Sequence, residues 1–163
     1  MKVTGRIDIA APMEWVFRFI ADPWALGPEK LISFEWKSGG PHISGSEFVF
    51  FLEDAGGVQR MEGRCDVEPP RVLRSEIAGS WEARPERRRG LYIPDSFEIT
   101  ETWDLEPHGA GTRIACTVEY RWPNLRWRLA QGLRKRGFQR AHAMTLLRLK
   151  ERAEGNSGGG AGR

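Results

Sequence analysis

Residues 97–121 read FEITETWDLEPHGAGTRIACTVEYR. Two runs in this stretch, Phe97–Glu106 and Thr112–Arg121, alternate apolar and polar residues with the period of a half-buried strand. Between them Pro-His-Gly-Ala-Gly is turn chemistry, so the pair reads as an antiparallel hairpin. Placing Leu105 opposite Ile114 fixes the register and sorts the side chains onto two faces. One face carries Phe97, Ile99, Glu101, Trp103 and Leu105 against Ile114, Cys116, Val118 and Tyr120. The other carries Glu98, Thr100, Thr102 and Asp104 against Arg113, Ala115, Thr117, Glu119 and Arg121, a solvent face. Pro123 then breaks the strand. From Leu125 to Glu154 the pattern becomes helical, although Gly132 and Gly137 weaken its middle by about 1 kcal/mol each.

Upstream, Lys2–Ala10 alternates as a strand and Pro12 opens a helical run through Met13, Val16, Phe17 and Ile20. Asp22-Pro23 repeats the start signal, which predicts a second short helix ending at Gly27-Pro28. Strand-like runs follow at Leu31–Lys37, Glu47–Glu53, Val58–Glu68 and Val72–Ala78, separated by Gly- and Pro-rich turns. Met61, Gly63, Cys65, Val67, Leu73, Ser75 and Ile77 continue the inner face of the hairpin. Six consecutive strands without intervening helices argue for an antiparallel α+β sheet. The long terminal helix is the element large enough for such a sheet to wrap.

The chain has 163 residues, of which 40% are apolar, and its 7 Trp and 8 Phe are inconsistent with general disorder. No apolar run approaches the roughly 18 residues of a membrane span. Lys2, Arg6, Asp8, Glu14 and Arg18 leave no uncharged core for a signal peptide. Two cysteines fit a reducing compartment, so the expected location is the cytoplasm. The net charge is +3. Ten Lys/Arg and two Asp/Glu lie between Arg121 and Glu154, so the terminal helix is strongly basic.

Several strings in this order resemble the START-like, or SRPBCC, superfamily in its polyketide cyclase/dehydrase and lipid-transport branch. They are Ile-Asp-Ile-Ala-Ala-Pro-Met-Glu-Trp-Val-Phe at 7–17, Ala-Asp-Pro at 21–23, Gly-Arg-Cys-Asp-Val-Glu-Pro-Pro-Arg-Val-Leu at 63–73, Thr-Trp-Asp-Leu-Glu-Pro at 102–107, Gly-Thr-Arg-Ile at 111–114 and Leu-Lys-Glu-Arg-Ala-Glu at 149–154. The resemblance implies a helix-grip fold, a seven-stranded curved antiparallel sheet around the long C-terminal helix, with two short helices after the first strand. It implies one domain over residues 1–154 and a hydrophobic ligand cavity between sheet and helix. Residues 155–163 read as a disordered Gly-rich tail.

Combined with the strand phase, that cavity takes Met61, Cys65, Ser75, Ile99, Glu101, Trp103, Cys116, Val118, Tyr120 and His142 as candidate ligand-binding residues. Glu101 interrupts an apolar row, and a buried carboxylate must be neutralised, paired or hydrogen-bonded. Tyr120 stands on its diagonal. His142 shares a helix face with Phe138, Thr145/Leu146 and Leu149. Glu101, His142 and Tyr120 are therefore the candidate catalytic residues. The plainer alternative is a carboxylate solvated or paired with an Arg, and a structural histidine. In the family's strand order two strands separate Cys65 from Cys116, roughly 14 Å at ordinary strand spacing, too far for a disulfide.

The leading expectation is a binding protein for a lipid, quinone or polyketide-like molecule. An enzyme of cyclase/dehydratase type, working without metal, is the first alternative. A regulatory interaction protein using the basic helix is the second. Arg84, Arg87, Arg88 and Arg89, with Arg126, Arg128, Arg134, Lys135, Arg136 and Arg140, suit an anionic membrane surface or an acidic partner, or else form a solvated surface. Nucleic acid is not expected, because no aromatic-and-basic platform is present. No cofactor and no metal site are expected: three scattered histidines lack ligand spacing, and Gly155-Asn156-Ser157-Gly158-Gly159 lacks the strand-turn-helix context of a nucleophile elbow.

Overall fold

The computed structural model describes residues 1–22, 31–54, 57–83, 96–123 and 125–157, and of residues 54, 83, 125–131, 133, 134, 156 and 157 the backbone alone. The strands are β1 (Lys2–Ile9), β2 (Leu31–Ser38), β3 (Ser46–Asp54), β4 (Gly57–Glu68), β5 (Val72–Ala83), β6 (Ser96–His108) and β7 (Gly111–Arg121). The helices are α1 (Met13–Ala21) and α2 (Leu125–Ser157). The strands form one sheet in the order β1-β7-β6-β5-β4-β3-β2, antiparallel at every step. This is the expected helix-grip arrangement, in which β1 crosses to the far edge and β2–β7 run as a meander.

The β6–β7 register agrees with the sequence reading, pairing Leu105 with Ile114 and Trp103 with Cys116. Its turn consists of Gly109 and Ala110, and Gly109 takes a φ of 59°, which only glycine adopts without strain. β5 extends beyond the expected end at Ala78, because β6 pairs with it as far as Ser80 and β4 as far as Ala83. Pro12 is the N-cap of α1 and not its first helical residue; its carbonyl accepts the Val16 N–H at 3.0 Å. α2 continues to Ser157, so Gly155, Asn156 and Ser157 belong to the helix and not to a disordered tail. The second short helix expected after Asp22, Arg84–Arg89 and residues 158–163 lie outside the described residues, as do the side chains of Arg126, Arg128 and Arg134.

The core runs between the inner face of the sheet, α1 and the C-terminal half of α2. Val16, Phe17 and Ile20 of α1, Trp103, Leu105, Ile114 and Cys116 of the hairpin, and Leu146, Leu149 and Ala153 of α2 are all buried there. Three of the family-like strings meet at one corner of this core. Glu154 Oε1 accepts the Ala10 N–H at 2.7 Å, Lys150 Nζ donates to the Asp8 carbonyl at 2.6 Å, and the Thr112 hydroxyl donates to the Ala11 carbonyl at 2.7 Å. Trp15 Nε1 donates to the Ala153 carbonyl at 3.2 Å. These strings thus hold the helix end against β1 and α1, which explains why they mark the fold and not the ligand. Among the described residues no helix is long and apolar enough to cross a membrane.

Candidate functional site

Between sheet and α2 lies a cavity of about 620 Å³, within the usual range of small-molecule sites. Register across the sheet builds its floor in rows. One row runs Ser46, Cys65, Ser75, Glu101, Val118 from β3 to β7. The next runs Trp36, Phe48, Gly63, Ile77, Ile99, Tyr120 from β2 to β7. Ala141, His142, Thr145, Arg148 and Leu149 of α2 face this floor, and Ile20 and Ala21 of α1 close one end.

Of the ten candidate ligand-binding residues, Met61, Cys65, Ser75, Ile99, Glu101, Trp103, Val118, Tyr120 and His142 line the cavity. Cys116 is fully buried beside it, with its thiol 3.9 Å from Glu101 Oε1 and its carbonyl 3.2 Å from His142 Nε2. A carbonyl only accepts, so His142 carries its hydrogen on Nε2 and donates it there. The candidate trio is brought to one cavity. His142 is tied to the β7 backbone and not to the Glu101 carboxyl.

Glu101 is the polar centre of the floor. Its side-chain hydrogen bonds come from Trp103 and Cys116. Among the described residues no cation supports its charge, so the Arg pairing of the plainer alternative is not found. Burial dominates and pushes the carboxyl above its ordinary value. Burial, with the charge of Glu101 next, pushes the Tyr120 phenol up to about 12, so this hydroxyl stays protonated at neutral pH. Burial also raises both thiols, most strongly Cys116 beside Glu101. Both cysteines are free, as expected from their separation across β5 and β6.

The sequence reading missed the wall opposite Tyr120. Phe34 and Trp36 of β2 and Phe48 and Phe50 of β3 all line the cavity. Their rings pack against one another, Phe34 with Trp36 at 5.1 Å and with Phe48 at 5.7 Å between centroids. The signal was present in the alternation of Phe34-Glu35-Trp36 and Phe48-Val49-Phe50, had the period-2 count been carried beyond β4. Thr145, on the helix face read from the sequence, lines the cavity too, and Gln59 and Arg148 line it without having been singled out. Lys135, Arg136 and Arg140 of the basic helix are exposed. Among the described residues no group of three or more His, Cys, Asp or Glu is placed to hold a metal ion.

A family model described as "Polyketide cyclase / dehydrase and lipid transport" matches residues 1–154. Among solved structures, the chain is similar to a Thermus thermophilus protein at 22% identity and a TM-score of 0.65, covering 96% of this chain and 99% of that one. It is similar to a Nitrosomonas europaea protein at 18% identity and a TM-score of 0.64, covering 97% of each chain. It is also similar to an uncharacterised Rhizobium leguminosarum protein at 16% identity and a TM-score of 0.64, covering 94% of each. At these identities the likeness concerns the fold. No curated protein matches the sequence.

Proposed function

Because the chain belongs to the polyketide cyclase / dehydrase and lipid transport family, whose fold is one for hydrophobic ligands, we propose that it binds a lipid, quinone or polyketide-like molecule. The observation that carries this reading is the cavity itself. Its walls are mainly apolar and aromatic, and Ser75, Glu101 and Tyr120 converge on one part of its floor. Apolar walls supply affinity, while a few fixed polar groups orient the ligand. The aromatic wall suits a flat or conjugated body. Two free, buried thiols fit a protein that works in the cytoplasm.

A cyclase/dehydratase-type enzyme is the second reading, and the burial of Glu101 favours it. A carboxyl raised above its ordinary value suits general acid–base work. In that role Glu101 moves the proton, and Tyr120 donates a hydrogen bond to the reacting oxygen. His142 acts by fixing α2 over the site through the Cys116 carbonyl.

Native mass spectrometry of the purified protein tests the binding reading. A co-purifying apolar compound that leaves on denaturation is expected. The neutral dye N-phenyl-1-naphthylamine should bind the emptied protein and be excluded by Ile77→Trp, which fills the floor. An empty protein that also fails to bind the dye refutes the reading. For the enzymatic one, Glu101→Gln should abolish turnover of an identified ligand while leaving its binding intact.

A further inference from the structure

Resting on the binding reading above, we infer that the ligand's polar group is a cation, an ammonium or protonated nitrogen base that pairs with Glu101 inside the cavity. Four observations point this way.

First, Glu101 lines the cavity floor and, among the described residues, no protein cation supports it. Among the described residues, the cation-capable side chains that line the cavity are His142 and Arg148, both on α2. Neither hydrogen-bonds or pairs with the carboxyl, and His142 Nε2 is committed to the Cys116 carbonyl.

Second, the protein groups on the carboxyl are donors. The Trp103 indole offers only an N–H, and the Cys116 thiol donates to Oε1 at 3.9 Å. Ser75, directly across on β5, and Tyr120, on the diagonal of β7, bring two further hydroxyls to the same area. These groups favour a carboxylate accepting hydrogen bonds. They are too few and too weak to offset burial, which is why the carboxyl is raised.

Third, two aromatic side chains flank the acid. Trp103 is two residues along the same strand, and Tyr120 is one pleat away on the next. A cation seated on Glu101 gains from aromatic faces in a desolvated site.

Fourth, the rest of the cavity fits an apolar body attached to that cation. From Glu101 on β6 to Phe48 and Phe50 on β3 is three strand spacings, roughly 14 Å. The body then lies along Ile77 and Met61 toward the ring cluster.

Pairing proceeds without any redox or covalent step. The incoming ammonium keeps its protons, the Glu101 carboxylate accepts its hydrogen bonds, and the product is an ion pair. Glu53 of β3 and Arg148 of α2 also line the cavity, both exposed to solvent, where water screens their charge.

The test uses one frame in three charge states: 4-phenylbutylamine, 4-phenylbutanol and 4-phenylbutanoate, each titrated calorimetrically into the wild-type chain and into Glu101→Gln. The expected order at pH 7 is amine tightest, by about tenfold or more over the alcohol, with the carboxylate weakest. Glu101→Gln should bring the amine to the level of the alcohol. Alcohol or carboxylate binding as tight as the amine overturns the inference, as does an amine preference that survives in Glu101→Gln. These results leave the hydrophobic cavity reading intact. If none of the three compounds binds and N-phenyl-1-naphthylamine does not bind either, the cavity reading itself fails and the inference with it.

Discussion

Gly5 sits in the middle of β1, opposite Cys116 and against Leu146 and His142 of α2. A Cβ there would lie 2.5 Å from Leu146 Cδ1 and 3.1 and 3.2 Å from His142 Cδ2 and Nε2. Carbon atoms prefer about 3.5–4.0 Å, so Gly5→Ala requires Leu146 to retreat by about 1 Å or more. Leu146 is 3% exposed and packed in the core, leaving it little room to turn. Overpacking of this kind costs about 1–3 kcal/mol. For a chain of this size each kcal/mol moves the Tm by about 2–4 °C. The fall should therefore lie in the range of about 2–12 °C by thermal unfolding. The same shift pushes His142 off the Cys116 carbonyl, so apolar dye affinity should change as well. A double-mutant cycle isolates the contact. Leu146→Ala alone should cost about 2–5 kcal/mol, and the double variant should cost about 1 kcal/mol less than the sum of the singles. Gly137→Ala, on the exposed surface of α2 with no atom within 4 Å of the new Cβ, is the control. It should raise stability by about 0.5–1 kcal/mol through helix propensity. A Gly5→Ala loss below about 0.5 kcal/mol, or strict additivity with Leu146→Ala, would refute the close-approach argument.

Two carboxyls should show opposite pH linkage. The folded state holds Glu101 above its ordinary value of 4.5, so it retains the proton that the unfolded chain loses first. The wild type should then lose stability relative to Glu101→Gln as pH rises past 4.5, by at most about 1.4 kcal/mol per pH unit until the folded carboxyl ionises. Denaturant unfolding across pH checks this, and a flat or rising difference would mean a compensated carboxylate. Glu154 is held below 4.5 by the Ala10 N–H and then by Lys150. Its contribution is present above that pH and should vanish as pH falls through the lowered folded value, so Glu154→Gln should flatten the acid limb of the stability curve. Both thiols, buried and raised, should react slowly with a thiol reagent until the protein unfolds; fast stoichiometric labelling in native buffer would contradict their inward placement.

The sheet was legible in the sequence because period-2 alternation fixes facing, and the 97–121 hairpin fixes a register that the remaining strands follow. Glu101 was legible for the same reason: it is the charged residue on an otherwise apolar face. The seating of α2 was less so. A helix face can be read from Phe138, His142, Leu146 and Leu149, but nothing in the helix says which strand it meets. Gly5 held that information, since a glycine inside a strand often marks a close backbone approach. The residues around it named no partner until Leu146 and His142 were placed. The Phe34, Trp36, Phe48 and Phe50 wall was legible in the same way as the sheet, since its rings alternate in the unbroken register between the irregularities at Leu31/Ser33 and Trp36/Ser38. The pairing of Glu101 was beyond reach altogether, because whether an Arg or a thiol stands beside it is set by side chains on three different strands.

Glu101 is also where the fold works against itself. Every neighbour in its row, Cys65, Ser75 and Val118, is small or apolar and fits a buried sheet face, whereas the carboxyl is desolvated with two weak donors to compensate. Replacing such a group with an apolar residue of similar size generally raises stability. Features that break the local pattern at a cost to the fold tend to sit at functional sites. In this protein the break falls on the cavity floor, with Trp103 and Tyr120 beside it and an apolar wall roughly three strand spacings away. Glu101→Leu should therefore give a more stable protein that no longer discriminates ligands by charge. A Glu101→Leu protein that is less stable than wild type at neutral pH would place the carboxyl among the supports of the fold, and the assignment of the floor as a recognition surface would have to move elsewhere.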